Sequence, residues 1–151
     1  MNLVQRDIVY NYMTFELLES MINLSRINID RFQSIGVDRV SQLCFGMTSF
    51  DTGRQTGKST AISRYTKEND NVIVVSPSKV LTKIMTERVQ SVNKFNLSVA
   101  DFNTTNIFRG LQGEFDLIFD ECNLEDILFC LSSLGKHPSI KIRSIVKVGL
   151  R

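Results

Sequence analysis

The residues best suited to chemistry lie in two short stretches. The first, residues 50 to 60, reads FDTGRQTGKST. It closes on Gly57, Lys58, Ser59 and Thr60: a glycine, a cation and two hydroxyls. That set suits the phosphates of a nucleotide. Backbone N–H groups must turn inward around the anion, so the loop needs glycine. A helix starting there aims its positive end at the charge. A lysine reaches the outer phosphate oxygens, and a Ser or Thr hydroxyl holds Mg2+. The usual loop carries its first glycine where Thr52 stands; here it comes one place later, at Gly53, and Arg54, Gln55 and Thr56 follow.

The second stretch, residues 115 to 121, reads FDLIFDE. Phe115, Leu117, Ile118 and Phe119 form an apolar strand that ends in Asp120 and Glu121. A nucleotide-bound Mg2+ needs a carboxylate at the end of a neighbouring buried strand, the place of Asp120. A glutamate beside it, Glu121, can polarise the attacking water. The interval between Lys58 and Asp120 leaves room for one intervening strand and helix.

The elements that must hold these stretches follow from hydrophobic patterning. Residues 14 to 24 predict a helix capped by Thr14 with Glu16 behind it, and IDRFQSI predicts a second short helix. VSQLCFGM, residues 40 to 47, is β-prone and leads into the loop. Residues 59 to 69 predict a helix. NVIVVSP, residues 71 to 77, is an unbroken β-branched run, as in a strand buried on both faces. Residues 78 to 92 carry an apolar stripe at helical spacing. LSVADF predicts a short strand, and residues 123 to 135 a helix ended by Gly135. In the last strand, 140 to 150, Ile140, Ile142, Val146 and Val148 alternate with Lys141, Arg143 and Lys147, the period of a strand with one wet face. Strands alternating with helices predict a three-layer α/β domain with a mostly parallel sheet. Residues 1 to 36 form a mainly helical lead-in to a core at 40 to 151.

Composition sets outer bounds. A chain of 151 residues with 42% hydrophobic and 23% charged residues suits one ordinary globular domain. No apolar run reaches the length of a membrane span. Cys44, Cys122 and Cys130 lack metal-ligand spacing and sit in apolar surroundings, which predicts core packing in a reduced, cytoplasmic protein. The one histidine, His137, reads as a loop residue. The net charge of +2 announces no polyanion. The tail does carry Lys136, Lys141, Arg143, Lys147 and Arg151 without an acid, a pattern that suits either a polyanionic partner or a solvated strand face.

The segment GRQTGKST resembles the variant phosphate loop of viral large terminases, the DNA-packaging motors, whose loop runs Arg-Gln-x-Gly-Lys-Ser/Thr. Here that is Arg54, Gln55, Thr56, Gly57, Lys58 and Ser59. NVIVVSPSKVLTKIM resembles the following strand and helix of terminases and superfamily 2 helicases, and FDLIFDE resembles their Walker B strand. The resemblance covers roughly residues 40 to 150. It implies a RecA-like P-loop NTPase fold and a Mg2+-dependent ATPase acting on DNA, in the cytoplasm of a host cell. Residues 53 to 60 would cradle ATP, with Lys58 on the phosphates and Ser59 and Asp120 serving Mg2+. Glu121 would activate water, and Arg54 would stabilise charge on the γ-phosphate. Gln33 and Gln42 are candidates for reading adenine, with solvent exposure as the plainer reading of both. The chain leaves no length for the nuclease domain that follows in terminases, which implies a reduced relative. Either residues 1 to 12 add an edge strand, or the sheet is small, or a homo-oligomer neighbour or partner protein completes the site.

Two other classes of function stay open on the residues alone. One is a nucleotide-binding regulatory module with little turnover. The other is a small-molecule nucleotide kinase, which ranks last because Asp-Glu at the strand end and the missing arginine-rich lid both argue against it.

Overall fold

The computed structural model describes residues 2–53, 57–89, 95–104, 108, 111–137 and 139–149. Asn2 and Gln5 exchange side-chain and backbone hydrogen bonds in a capping box that starts helix α1 (Leu3–Ser34). No glycine or proline interrupts it before Gly36. Residues 3 to 13 are exposed, and from Thr14 the buried positions Phe15, Leu18, Ile22, Ser25 and Ile29 recur at helical spacing. The two helices expected from Thr14 onward are therefore one, and Thr14 lies inside it. The edge strand entertained for residues 1 to 12 does not form; residues 3 to 12 are helical.

The β-prone segment 40 to 47 is also helical. Asp38 accepts a hydrogen bond from the Ser41 N–H and caps α2 (Arg39–Gly46). α2 ends on Gly46, where a Cβ would stand 2.3 Å from Ile29 Cγ1. The bare glycine lets α1 and α2 close, and its carbonyl accepts from Ser25 Oγ at 2.7 Å. The strand before the loop is only β1 (Thr48–Phe50). α3 (Lys58–Glu68), β2 (Val72–Ser76) and α4 (Lys79–Val89) fall where the pattern predicts. β3 (Phe95–Ser98) holds only the first two residues of the strand expected over LSVADF; Ser98 caps the short helix α5 (Val99–Phe102), so the rest of that segment is helical. β4 (Gly113–Asp120), α6 (Leu124–Leu134) and β5 (Ile140–Val148) complete the chain.

The five strands form one parallel sheet in the order β1-β5-β4-β2-β3. β5 is thus an inner strand, not the half-exposed one its alternation predicts. Ile140, Ile142, Ser144, Ile145, Val146 and Val148 are all buried. Its cations mislead because Arg143 serves a buried carboxylate and Lys147 folds back onto the carbonyl of Gly149 at 2.7 Å.

Side-chain alternation sorts the core into two layers. Ile73, Val75, Phe115, Leu117 and Phe119 pack with α2, α5 and α6 on one face. Val72, Val74, Ile118, Val146 and Val148 pack with α1, α3 and α4 on the other. A register shift between Phe115 and Asp116 brings Arg143 and Ser144 together over Asp116. The fully buried Asp116 carboxylate accepts from Arg26 at 2.8 Å, Arg143 at 3.0 Å, Tyr65 at 2.7 Å and Ser144 at 2.6 Å. Burial is the largest single influence and opposes its charge, but the four donors together hold the carboxyl below its ordinary range. This knot ties α1, α3, β4 and β5 together beneath the helix that carries Lys58.

Candidate functional site

Because every strand runs the same way, the carboxyl ends of β1, β4 and β5 meet on one side. The connection from β1 through α3 to β2 passes over β5 and β4. Open α/β sheets bind ligands in the crevice outside the carboxyl ends of their strands.

Gly57 holds φ 81°, a left-handed turn that delivers the chain into α3 with Lys58 as its first residue. Gly57 offers no side chain to cap this helix; the Ala61 N–H donates to the Gly57 carbonyl at 2.8 Å, and the N–H groups before it precede the first intrahelical bond. A Cβ at Gly57 would stand 1.9 Å from Asn11 Oδ1, so α1 bears directly on the end of the loop. Ser59 is half-buried in that first turn and Thr60 is exposed. Gly53 has φ 92° and donates its N–H to Asp51 Oδ1 at 3.2 Å. Arg54, Gln55 and Thr56 lie outside the described residues.

Lys58 spans the site. Its Nζ lies 2.5 Å from Asp51 Oδ1 and 3.1 Å from Glu121 Oε1. Burial pulls its pKa down, but the bonds to Asp51 and Glu121 outweigh that and raise it above the usual lysine range. The same contact with Lys58, helped by the Gly53 N–H, holds Asp51 below the usual carboxylate range. Asp51 had no place in the sequence argument. The signal was an acid at the end of a strand, just ahead of the glycine loop.

Asp120 ends β4, half-buried, and by alternation shares the face of Ile118, the side covered by α3. Glu121 then turns the chain with φ 57°, left-handed for a residue other than glycine. Its N–H donates to the Val148 carbonyl at 2.8 Å, and the Gly149 N–H donates to the Phe50 carbonyl at 3.0 Å. These bonds carry the ladder past the strand ends and lock the three tips together. Gly149, with φ 101°, leaves room for the Glu121 carboxylate: a Cβ there would meet it at 2.5 Å. Sequence reading missed Gly149 as well, although a glycine directly after a strand is the visible sign of such a turn.

The other candidates lie elsewhere. Gln33 and Gln42 line a cleft at the amino ends of β4 and β5, away from the loop. Gln42 is committed to the Ile29 carbonyl at 3.1 Å. The basic tail divides, with Lys141 and Arg143 at that same far end and Lys147 beside the site. Arg151 lies outside the described residues. His137 packs edge-on against Phe108 at 5.3 Å between ring centroids. Cys122 and Cys130 are buried free thiols, each pushed up to about 12 by desolvation, which keeps them protonated and inert. Among the described residues, no helix is long and apolar enough to cross a membrane.

Among the described residues no three His, Cys, Asp or Glu side chains gather as a metal cage. A hydroxyl and a carboxylate, here Ser59 beside Lys58 and Asp120 beside Glu121, are what Mg2+ would use where substrate phosphates and water supply its remaining ligands. The grouping of an ammonium, an uncapped helix start, a hydroxyl and adjacent carboxylates is chemically suited to a phosphate chain and its counter-ion.

No protein-family model matches the chain, and no curated protein matches its sequence.

Proposed function

We propose that the chain binds ATP with Mg2+ at the tips of β1, β4 and β5 and hydrolyses it. It would do so as a small terminase-like or helicase-like ATPase, acting on DNA or within a DNA-packaging or other DNA-processing complex. The observation that carries this reading is the contact of Lys58 with Glu121, contributed by two distant stretches of the chain in which Ser59 and Asp120 are their immediate neighbours. The parallel five-stranded sheet with helices on both faces is compatible with a RecA-like P-loop domain.

In this reading Lys58 exchanges its carboxylate partners for the β- and γ-phosphate oxygens. Ser59 and Asp120 hold Mg2+, which when bound neutralises phosphate charge. Glu121 takes the proton from the attacking water as its oxygen approaches the γ-phosphorus, and ADP leaves as the bond to its β-phosphate oxygen breaks. Arg54, by the terminase resemblance, stabilises the charge that develops on the γ-phosphoryl oxygens.

A nucleotide-gated module with little turnover is the second reading, and one observation favours it. Glu121 is ion-paired to Lys58 at 3.1 Å, and must leave that contact before its carboxylate can turn to a water. A neighbouring subunit or partner protein that draws the two apart would then set the rate.

Mg2+-dependent ATP turnover by the purified chain, with and without DNA, tests the proposal. Turnover abolished by both Lys58→Ala and Glu121→Gln, and stimulated by DNA, supports the motor. Tight ATP binding without turnover supports the gated module. ADP release that needs an added phosphate acceptor would overturn both in favour of a kinase.

A further inference from the structure

A second cationic site lies at the opposite end of the sheet from Lys58. Along β5 the two ends are separated by roughly 25 Å, at about 3.3 Å per residue. There a cleft of about 480 Å3 opens between α1, the start of α2 and the first residues of β4 and β5. Arg26, Arg39, Lys141 and Arg143 line it, with the amides of Gln33 and Gln42.

Its charges are unequally compensated. Arg26 and Arg143 face the same carboxylate, Asp116, so two guanidinium groups share one negative charge. Arg39 is half-buried and, among the described residues, donates to backbone, to the carbonyls of His137 and Ile140. Among the described residues no carboxylate lies within ion-pairing distance of it. Desolvation without a counter-ion lowers its pKa, the mark of a cation that an anion would stabilise. The two carbonyls also fix the guanidinium plane and leave its other N–H groups to be used, so little entropy is lost when it grips a ligand. Asp30 and Glu114 are exposed on the same cleft. They counter a diffuse attraction for anions and favour a single phosphate group, free or on a chain, seated at Arg39 and Lys141.

We propose that this cleft binds a phosphate-class oxyanion through Arg39 and Lys141, independently of the site around Lys58. The binding does not depend on ATP being the ligand at the other end.

The test is a backbone amide NMR titration of the full chain with sodium phosphate, against sodium chloride at matched ionic strength. Saturable shifts at Arg39, Gln42 and Lys141 are expected, unchanged in Lys58→Ala. Lys141→Gln, at an exposed position that keeps the fold, should weaken phosphate about fivefold or more. Arg39→Gln should do at least as much, with its fold checked by circular dichroism. No saturable shift at these residues, equal affinity in Lys141→Gln, or loss of the signal in Lys58→Ala would overturn the site. A labelled oligonucleotide distinguishes the source of the phosphate. If Lys141→Gln weakens it and lowers its salt slope by about one, the ligand is a nucleic-acid backbone. If only inorganic phosphate is weakened, the ligand is a small phosphoanion. Either outcome supports the cleft.

Discussion

Gly149 and Glu121 occupy adjoining strand tips so closely that a Cβ on Gly149 would lie 2.5 Å from the Glu121 carboxylate. The absence of that one carbon lets the glutamate lean toward Lys58. Gly149→Ala is strained twice, by the contact and by φ 101°. It should cut ATP turnover by about tenfold or more, equivalent to about 1.4 kcal/mol in the barrier. Nucleotide affinity should change far less, because Gly149 abuts Glu121 and the end of β1 and not the turn at Gly57 and Lys58. Steady-state kinetics beside equilibrium nucleotide binding check this split.

Asp51 is ion-paired to Lys58, and under the proposed function it would compete with phosphate for that ammonium. Removing its charge while keeping its shape should release the ammonium and lift a repulsion from the incoming anion. Asp51→Asn is expected to tighten ATP binding by about fivefold, a moderate yield for a charge this near in a partly solvated site. Titration calorimetry reads the change directly. Weaker binding in Asp51→Asn would show that Asp51 organises the loop, through its bond to the Gly53 N–H, more than it opposes the ligand.

Asp116 sets stability from a distance. Asp116→Asn leaves two guanidinium groups facing no carboxylate, a loss of about 3 kcal/mol for a broken buried pair. That corresponds to a fall in Tm of about 10 °C for a chain of this size. The folded pKa of Asp116 lies below its unfolded value. Its contribution is therefore fully present above the ordinary carboxylate range and is lost as pH falls through the lower folded value. Urea unfolding at pH 7 and near pH 3 should show the variant and the parent drawing together in acid.

Gly46 makes the closure of α1 on α2 possible. Gly46→Ala drives a methyl into Ile29 and should cost about 1–3 kcal/mol. The cost should shrink in an Ile29→Ala background, because the two positions share one contact. Chemical denaturation of the four proteins in this cycle measures the coupling.

How far the sequence could be read depended on where each signal lay. The helices α3 and α6 were legible because burial imposes a helical period on them, and β2 because an unbroken apolar run is buried on both faces. α4 forms where its apolar stripe predicts, although Val80, Leu81 and Ile84 of that stripe are exposed and Met85 is buried. α1 was read short because its first turns are exposed and carry no core-facing stripe; the Asn2 and Gln5 capping box was the overlooked marker. α2 was misread because eight residues rich in β-formers follow a good cap, Asp38, and the cap prevailed over propensity. β5 looked half-exposed because Arg143 sits at a register shift and reaches Asp116, which no periodicity can foresee. In the site, Lys58, Ser59, Asp120 and Glu121 could be nominated from chemistry, and the fold brings Lys58 and Glu121 into contact. Asp51, Gly149 and Asn11 emerged only with the tertiary structure, because each acts through a neighbour remote in sequence or through empty space beside it.

The most direct test of the central claim is nucleotide binding itself, measured with a fluorescent ATP analogue and Mg2+ on the full chain. Saturable binding is expected, weakened about tenfold or more by Lys58→Ala and left in place by Glu121→Gln. No saturable binding by the parent chain, or equal affinity in Lys58→Ala, would contradict it.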